Sequence, residues 1–318
     1  MNRWRIVAAT LGVLCALAAV LGVIAHLRAP HSSNIIGLSA FAPYLMLCAV
    51  PALVLLGILR WWVGVGVALL VTAIAVSTQW RLYVPAAPLA NGVDVVTMTA
   101  NLRLGSADPA SVIAAVRAHH VTLLMTEELS STELDRLIAA GLPSLLPHRL
   151  TAPRSSASGV GIWSAYPLRD EIKRTDFTFA FVTAEVAVPG VANLPVAVAL
   201  HMPGPWPQSA AHWDHDIHHL PHVLPTLAPG QPVIVGGDFN ATPDVGEFRD
   251  LLTDGYHDAA QQAGAGLTPT YPSSQVLPPL IAIDHVLTRG AVGRSAITVH
   301  IDHSDHRALV TTIQVPAG

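Results

Sequence analysis

The stretch "VIVGGDFNATPD" at residues 233–244 places an acid and an amide just beyond an apolar run. Its first three residues are β-branched or aliphatic and predict a buried strand, which two glycines separate from Asp238 and Asn240. One interpretation of this pair is an active site at the carboxyl end of a strand. The simpler interpretation is a strand followed by an Asx-type turn, because Asp, Asn, Gly and Pro favour turns for local backbone reasons. The window alone does not decide between the two.

Comparable polar residues follow other apolar runs of the chain. They stand in "TMTANLRLG", "LLMTEEL", "VAVALHMPGP", "IAIDHVL" and "DHSDHRALV". A single residue of this kind is more often a cap or a turn residue than a catalyst, but several in one domain indicate a shared site. Acids, amides and histidines in one pocket supply what phosphoester hydrolysis needs, namely an activated water and donors for developing charge. The candidates are Asn101, Glu128, His201, Asp238, Asn240, Asp284, Asp305 and His306.

The residues from about 93 to 315 resemble the endonuclease/exonuclease/phosphatase superfamily, which includes pancreatic-type DNases, abasic-site endonucleases, neutral sphingomyelinases and inositol-polyphosphate phosphatases. The motif "GGDFN" with a later "SDH" is specific in combination, and all the candidates occur in the matching order. The resemblance implies an α+β fold, a four-layered α/β sandwich of two packed mixed β-sheets flanked by helices, with the site at one edge. It also implies a metal-dependent hydrolase that acts on phosphoester bonds.

The resemblance suggests a catalytic role for five of the candidates. Asp238 would orient or deprotonate the attacking water, and Asn240 would hold the phosphoryl oxygen. His306 would donate to the phosphate in the transition state, and Asp284 would orient His306. His201 matches the histidine that is found in the DNase and sphingomyelinase branches.

The remaining candidates would hold a metal ion. Glu128 and Asn101 match the carboxylate and the amide near the start of the family's domain, and Asp305 would bind metal or support that end. The expected ion is Mg²⁺, with Mn²⁺ as a substitute, since magnesium prefers oxygen ligands and needs only one or two direct carboxylates. Gly236 and Gly237 are expected to let the backbone approach a phosphate closely.

Three positions depart from the family's pattern. Glu127 stands where a glutamine commonly precedes the metal-binding carboxylate, which leaves a choice between Glu127 and Glu128; Glu128 is preferred because it directly precedes Leu129. Ala165 and Ala282 stand where relatives often carry arginine. The missing arginines weaken the case for a long polyanionic substrate.

The chain divides into two parts by charge. Only 12% of its 318 residues are charged, and residues 1–89 contain no acid and five of the 17 basic residues. Residues 90–318 hold all 21 acids, which leaves them a formal net charge of −9. This part is long enough for one large core, and it lacks the clustered Lys and Arg of a dedicated DNA-binding surface. Cys15 and Cys48 have no metal-ligand spacing and form no disulfide framework.

The acid-free part holds three apolar runs near the length of about 20 residues that crosses a hydrocarbon core. A cleaved signal peptide is the alternative for the first run, but two more runs follow it. We expect an anchor of residues 1–84 with three transmembrane helices at about 6–25, 35–59 and 62–79, then a linker at 85–92 and the catalytic domain at 93–318.

The basic residues predict the orientation of this anchor. A cytoplasmic N-terminus places Arg3, Arg5 and Arg60 inside and Arg28 and Arg81 outside. Basic residues favour the cytoplasmic side, so three against two favours an extracytoplasmic catalytic domain at the cell membrane.

The histidine-rich stretch "HWDHDIHHLPH" has two interpretations. His215, His218, His219 and His222 fall at helical spacing that could bind zinc. The simpler interpretation is the solvated face of an amphipathic helix, because the apolar stripe of this predicted helix is complete without them.

The remaining elements are predicted from hydrophobic periodicity and turn residues. Helices are expected from 109 onward, at 131–140 and at 208–227. Strands are expected at 93–100, 121–126, 159–164, 177–188, 194–201, 232–236, 281–287, 295–301 and 308–315.

Three functions fit the sequence. The first is a membrane-held, extracytoplasmic, Mg²⁺-dependent phosphoesterase with a lipid-linked or small substrate, for which nucleic acid is a less favoured partner. The second is a nuclease of the same chemistry in the same location. The third is an inactive, membrane-bound binding module, against which the filled catalytic positions speak.

Overall fold

The computed structural model describes residues 3–27, 32–205, 210–273 and 276–318. These residues form two compact units. The first consists of Met1–Arg81 and Thr242–Arg249, and the second of Leu82–Ala241 and Asp250–Gly318.

The first unit is helical. Two of its segments, Arg3–Leu27 and Trp62–Tyr83, are long and apolar enough to cross a membrane. They correspond to the first and third of the expected spans. The helices are α1 (Arg3–Leu27), α2 (Ser33–Ala40), α3 (Ala42–Leu47), α4 (Ala49–Ile58) and α5 (Trp62–Gln79).

The second expected span, at 35–59, is not one continuous helix. Ser33–Ala40 and Ala42–Ile58 are bent against each other by 51°. Pro43 and Pro51 account for the interruptions, because proline lacks an N–H and its ring clashes with the carbonyl group four residues earlier. Within the described residues, the structure therefore shows two candidate spans rather than three, and the bent pair adds a third only if it counts as one span.

Small side chains fill the interior of this helical unit, and large apolar ones face outward. Leu14, Leu17 and Leu70 are 56%, 60% and 62% exposed. Helices that pack in a bilayer approach through small residues and turn large apolar side chains to the lipid. The alanines that are almost completely buried are Ala19, Ala42, Ala49, Ala52 and Ala68.

The segment Thr242–Arg249 follows the "GGDFNA" motif and belongs to the helical unit. His26 Nδ1 lies 2.7 Å from Asp244 Oδ1, and Gln79 Nε2 donates to the same oxygen at 2.8 Å. The Arg249 guanidinium donates to the His26 carbonyl oxygen at 2.6 Å. These bonds fasten the segment to the ends of α1 and α5.

The second unit contains two six-stranded mixed sheets. The strands are β1 (Gly92–Asn101), β2 (Leu123–Glu127), β3 (His148–Ala152), β4 (Val160–Ser164), β5 (Leu168–Arg174), β6 (Phe181–Val186), β7 (Val196–His201), β8 (Val233–Asp238), β9 (Tyr256–Asp258), β10 (Asp284–Arg289), β11 (Val292–His300) and β12 (Arg307–Pro316). One sheet has the order β11-β12-β1-β2-β4-β3 and the other β5-β6-β7-β8-β10-β9.

Apolar side chains of both sheets meet in one core, which includes Val95, Leu123, Val182 and Ile234. A second cluster of buried apolar side chains, which includes Val112, Leu124 and Leu137, packs helices against the outer face of the sheet that contains β1. Two mixed sheets with flanking helices confirm the expected sandwich. The helices of this unit are α6 (Pro109–Ala118), α7 (Ser131–Ala139), α8 (Ala211–Val223) and α10 (Ala259–Gln262). The short helix α9 (Gly246–Asp250) lies almost entirely in the segment Thr242–Arg249 of the first unit.

The two glycines of the opening motif have a different role from the one expected. A Cβ atom on Gly237 would lie 2.1 Å from the carbonyl oxygen of Leu200 on β7, and one on Gly236 would lie 3.1 Å from the Met125 side chain. Both positions are buried. The glycines allow β8 to pack closely against its neighbours, which is a requirement of the fold.

Candidate functional site

Strand pairing brings the candidate residues together. His201 at the end of β7 is the parallel partner of Asp238 at the end of β8. Asp284 at the start of β10 is the antiparallel partner of the same Asp238. On the other sheet, Asn101 at the end of β1 is paired with Glu127. Side chains from four strand ends therefore meet at one edge of the sandwich.

The Asp238 carboxylate is the centre of this arrangement. Its Oδ2 atom accepts a hydrogen bond from Asn101 Nδ2 at 3.1 Å and lies 3.5 Å from His201 Nε2. The same oxygen is 3.8 Å from His306 Nε2. Burial and the Asp284 carboxylate raise the pKa of Asp238 to about 6, against the opposing effect of the histidines. Asp238 can thus gain and lose a proton close to neutral pH, as a general base must.

His306 is held between two carboxylates. Its Nδ1 atom lies 2.8 Å from Asp284 Oδ2. Burial alone would lower the pKa of His306, but Asp284 and Asp238 outweigh it and raise the pKa to about 10. The imidazole is then protonated on both nitrogens at neutral pH, and Nε2–H is a donor that faces Asp238.

His201 and Asn240 form the other side of the site. His201 Nδ1 donates to the carbonyl oxygen of Ala157 at 2.8 Å, which leaves Nε2 facing the site, 3.4 Å from Asn240 Nδ2. Asn240 Nδ2 also donates to the Met202 carbonyl oxygen at 2.9 Å. The Asn240 backbone has a φ of 50°, which asparagine tolerates better than most residues. Its N–H donates to Asp238 Oδ1 at 2.8 Å, so the Asx turn and the site are one structure.

Glu128 extends from the site towards solvent. Its φ of 55° turns the chain after β2, and Asn101 Nδ2 donates to its Oε1 atom at 3.2 Å. The Leu104 N–H donates to Oε2 at 2.6 Å. A carboxylate has about four lone-pair directions, so these two bonds leave room for a cation. The amide of Asn101 bridges Glu128 and Asp238.

Glu127 lies in a different environment from its neighbour. It is fully buried, and Thr99 Oγ1 donates to its Oε1 atom at 2.6 Å. Burial raises the pKa of Glu127 well above its ordinary value, and the side chain is enclosed by protein rather than open to the site. This geometry supports the preference for Glu128 over Glu127 as the metal ligand.

Asp238, Asp284 and His306 form the one group of at least three His, Cys, Asp or Glu side chains, within the described ranges, whose ligand atoms converge closely enough for a metal. A histidine must be neutral to bind a metal, whereas His306 is protonated and bonded to Asp284. The group is therefore better suited to proton transfer than to metal binding. Asp284 Oδ1 is buried without a hydrogen-bond partner, which makes it an acceptor for a further donor or cation. Carboxylate and amide oxygens of Glu128, Asp238 and Asn101 fit a hard cation.

Asp305 lies at the rim of the site beside Arg103, which was not among the candidates from the sequence. Its carboxylate Oδ1 is 3.9 Å from Arg103 Nε, and both side chains are well exposed. The N–H of Arg103 donates to Asn101 Oδ1 at 2.8 Å. Arg103 therefore fixes the acceptor end of the Asn101 amide and places a cation beside the site. A basic residue two positions after Asn101 was the only available signal in the sequence.

Three histidines of α8 have separate acidic partners. His218 lies near Asp214, His219 Nε2 is 3.0 Å from Asp176 Oδ2, and His215 Nδ1 is 2.9 Å from Asp216 Oδ1. The buried face of the helix is apolar, with Trp213, Ile217, Leu220 and Val223. This agrees with the solvated-face interpretation. The predicted start of the helix at 208 lies outside the described residues.

Comparisons with known proteins agree with this geometry. The model of the Endonuclease/Exonuclease/phosphatase family matches residues 98–306. No curated protein is similar enough in sequence to count as a match. An endonuclease/exonuclease/phosphatase from Bacteroides vulgatus is 15% identical with a TM-score of 0.57 and covers 70% of this chain and 99% of its own.

Two further solved structures have the same fold. An endonuclease/exonuclease/phosphatase from Beutenbergia cavernae is 20% identical, with a TM-score of 0.57, over 70% of this chain and 72% of its own. D. rerio TDP2 complexed with single strand DNA product is 13% identical, with a TM-score of 0.57, over 69% of this chain and 98% of its own. The family match covers more than half of the chain, which therefore belongs to the Endonuclease/Exonuclease/phosphatase family of metal-dependent phosphoesterases and nucleases.

Proposed function

We propose that this chain is a membrane-anchored, Mg²⁺-dependent phosphoesterase that hydrolyses a lipid-linked or small phosphodiester or phosphomonoester. The observation that carries the proposal is the position of Asp238 Oδ2, within 3.8 Å of Asn101 Nδ2, His201 Nε2 and His306 Nε2. One buried carboxylate with three nitrogen neighbours can accept a proton from water while the neighbours hold a phosphate.

The proposed roles follow from the protonation states. Asp238 is ionised at neutral pH and takes the proton of the attacking water. His306 is protonated, is oriented by Asp284, and donates its Nε2–H to a phosphate oxygen as charge develops there. His201 and Asn240 line the opposite side, where the Asn240 amide holds the phosphoryl oxygen.

Glu128 and Asn101 would hold the Mg²⁺, with Asp305 supporting that end of the site and Mn²⁺ as a substitute ion. When bound, a divalent cation polarises a non-bridging phosphate oxygen. The donor set is composed of oxygens, which suits a hard cation. Asn101 connects this part of the site to Asp238 through its amide.

Two properties of the chain support a substrate at the membrane. The helical unit turns leucines outward and buries alanines, as lipid-facing helices do. Residues 90–318 carry a net charge of −9, which disfavours a long polyanion. We divide the chain into an anchor at 1–84, a linker at 85–92 and a catalytic domain at 93–318.

The distribution of arginines supports an extracytoplasmic catalytic domain, as argued above for Arg3, Arg5 and Arg60. A reporter that is active only in the cytoplasm, fused after Pro316, tests this orientation. Cells that carry the fusion should show no reporter activity. Full activity would overturn the orientation and leave the chemistry untouched.

A nuclease is the second candidate, because D. rerio TDP2, which shares the fold, is seen with single strand DNA product. Arg103 beside Asp305 is the cation that such a substrate would meet at the site. The acidic balance of residues 90–318 makes this candidate the weaker one. An inactive binding module is weaker still, since every expected catalytic position is occupied.

The test is a substrate screen with the full chain in detergent, with Mg²⁺, Mn²⁺ or EDTA. It spans bis-nitrophenyl phosphate, phospholipids, sphingomyelin, nucleotides and DNA. Hydrolysis of a lipid or small phosphoester that EDTA stops and His306→Ala abolishes is expected. Cleavage of DNA alone would favour the nuclease, and no hydrolysis of any substrate would reject both enzymes.

A further inference from the structure

Phe179 lies against a catalytic histidine without a role in the chemistry described above. Its ring centroid is 5.1 Å from that of His201, in an edge-on arrangement. The side chain is half-buried, so part of the ring faces the surroundings of the site. A single exposed aromatic residue is ordinary on a protein surface, so the exposure of Phe179 does not by itself indicate a function.

The loop that carries Phe179 is held at several points. It joins β5 to β6, and the neighbouring Phe177 turns inward and stacks on Phe181 with ring centroids 4.7 Å apart. The N–H of Ala180 donates to the Ser158 carbonyl oxygen at 2.9 Å. The turn that contains Ser158 also supplies the carbonyl oxygen that fixes His201 Nδ1, so the loop and the histidine share one support.

A buried carboxylate completes this arrangement. Asp216 on α8 is 1% exposed and accepts from the Thr178 N–H at 3.0 Å and from the Thr178 hydroxyl at 3.0 Å. The Arg154 guanidinium donates to the Thr178 carbonyl oxygen at 3.4 Å. Burying a charge is costly unless it is well bonded. The residue immediately before Phe179 is thus bonded through its N–H, its hydroxyl and its carbonyl group.

The second site histidine also has an aromatic neighbour. The Tyr271 ring lies 5.0 Å from that of His306. Both histidines that face Asp238 are therefore flanked by a ring, and the ring beside His201 carries no polar group. The Phe179 ring therefore presents an apolar surface next to a histidine that faces Asp238.

We propose that Phe179 is a specificity-determining residue, whose ring packs against a hydrocarbon portion of the substrate next to the scissile phosphate. Asp216 is a positioning residue that acts through Thr178. This inference rests on the proposed function and narrows its substrate class to phosphoesters with an apolar group beside the phosphate.

The test is the binding of methyl, ethyl, propyl and butyl phosphate to the full chain, measured by calorimetry in one detergent with Mg²⁺. A fully buried methylene is worth about fourfold in affinity, so partial packing on Phe179 should tighten binding by about tenfold from methyl to butyl. Phe179→Ser should reduce this gain to less than about threefold, and Phe179→Leu should keep most of it. Because wild type and variants are measured in the same detergent, partition of the longer alkyl phosphates into the micelles affects them equally.

Ile172→Ser is the matched control, because Ile172 is an exposed apolar residue on the same hairpin. This variant should keep the full increase in affinity from methyl to butyl phosphate. The inference would be overturned if Phe179→Ser kept the full increase in affinity from methyl to butyl phosphate. It would also be overturned if Ile172→Ser lost as much of that increase as Phe179→Ser. This readout needs no turnover, so a protein that binds the series as expected but hydrolyses nothing would reject the proposed function and not this inference.

The positioning role of Asp216 is tested by the same measurement, the increase in affinity from methyl to butyl phosphate. As a single substitution, Asp216→Ala should reduce the increase in affinity from methyl to butyl phosphate. Combined with Phe179→Ser, it should cause no further reduction, because residues that act through one another are not additive. Thr178→Val removes only the hydroxyl bond and serves where Asp216→Ala fails to fold. A further loss of the gain in the double variant would contradict the positioning role.

Discussion

Asp238 and Asp284 lie directly opposite each other in the antiparallel pairing of β8 with β10. His306 lies between their carboxylates, 2.8 Å from Asp284 Oδ2 and 3.8 Å from Asp238 Oδ2. The Asp284 carboxylate raises the pKa of Asp238, and both carboxylates raise the pKa of His306. One pair of strands thus sets the protonation of the proposed base and of the proposed phosphate donor.

The pH dependence of kcat/KM should be bell-shaped. The rate should rise as Asp238 loses its proton near pH 6 and fall as His306 loses its proton near pH 10, since both limbs report the free enzyme. The measurement is hydrolysis of bis-nitrophenyl phosphate with Mg²⁺ between pH 5 and 10, and at the alkaline end the rate should have fallen to about half of its maximum. A rate that falls between pH 5 and 7 would contradict the assignment of Asp238 as base.

Asp284→Asn should move both limbs to lower pH. The Asp284 carboxylate raises the pKa of Asp238 and of His306, so its removal lets Asp238 ionise in more acidic solution and His306 deprotonate sooner. The rate at neutral pH should fall by roughly tenfold or more, because His306 loses its orienting partner. Asp302→Asn, a change at an exposed carboxylate, should leave the profile in place. An Asp284→Asn profile with unmoved limbs would show that the carboxylate does not control either group.

Divalent metal should stabilise the protein through Glu128. Adding Mg²⁺ to EDTA-treated protein at about 100 times its Kd should contribute about 2.7 kcal/mol and raise Tm by several degrees. Glu128→Gln should abolish most of this shift, whereas Glu171→Gln, at an exposed site, should keep it. A full shift in Glu128→Gln would place the metal elsewhere.

Gly237→Ala should destabilise the catalytic unit. The added Cβ would lie 2.1 Å from the Leu200 carbonyl oxygen, and relieving such overlap in a packed interior typically costs about 1–3 kcal/mol. Gly66→Ala is the control, because a Cβ there meets no atom within 4 Å. Thermal unfolding of the two variants should separate them, and equal stability would show that β7 and β8 can move apart freely.

The strands that end in site residues were predictable from the sequence. β1, β2, β7 and β8 each contain an apolar run that stops at a polar residue, and buried strands carry this signal locally. β10 instead begins at Asp284, inside the strand expected at 281–287. β5 was missed, since "LRDEIKR" is almost entirely polar and its strand is stabilised by pairing with β6 at a sheet edge. β3 and β9 were missed as well, because short edge strands have little pattern of their own.

Long-range features had no local signal. The run at 35–59 is apolar along its whole length, and only its prolines indicated the breaks. Thr242–Arg249 belongs to the helical unit through Asp244, Gln79 and His26, which lie far apart in the sequence. The same holds for Phe179, whose contact with His201 depends on how a loop folds back.

The most direct test of the central claim compares wild type with Asp238→Asn for metal-dependent phosphodiester hydrolysis by the full chain in detergent. The substitution keeps the shape of the side chain and removes the proposed base, so the Mg²⁺-dependent rate should fall by roughly a thousandfold or more. Unfolding without metal should occur at an equal or higher temperature, because a buried like charge beside Asp284 is lost. Asp254→Asn, at an exposed turn, should retain the wild-type rate. A rate in Asp238→Asn within about tenfold of wild type would contradict the account.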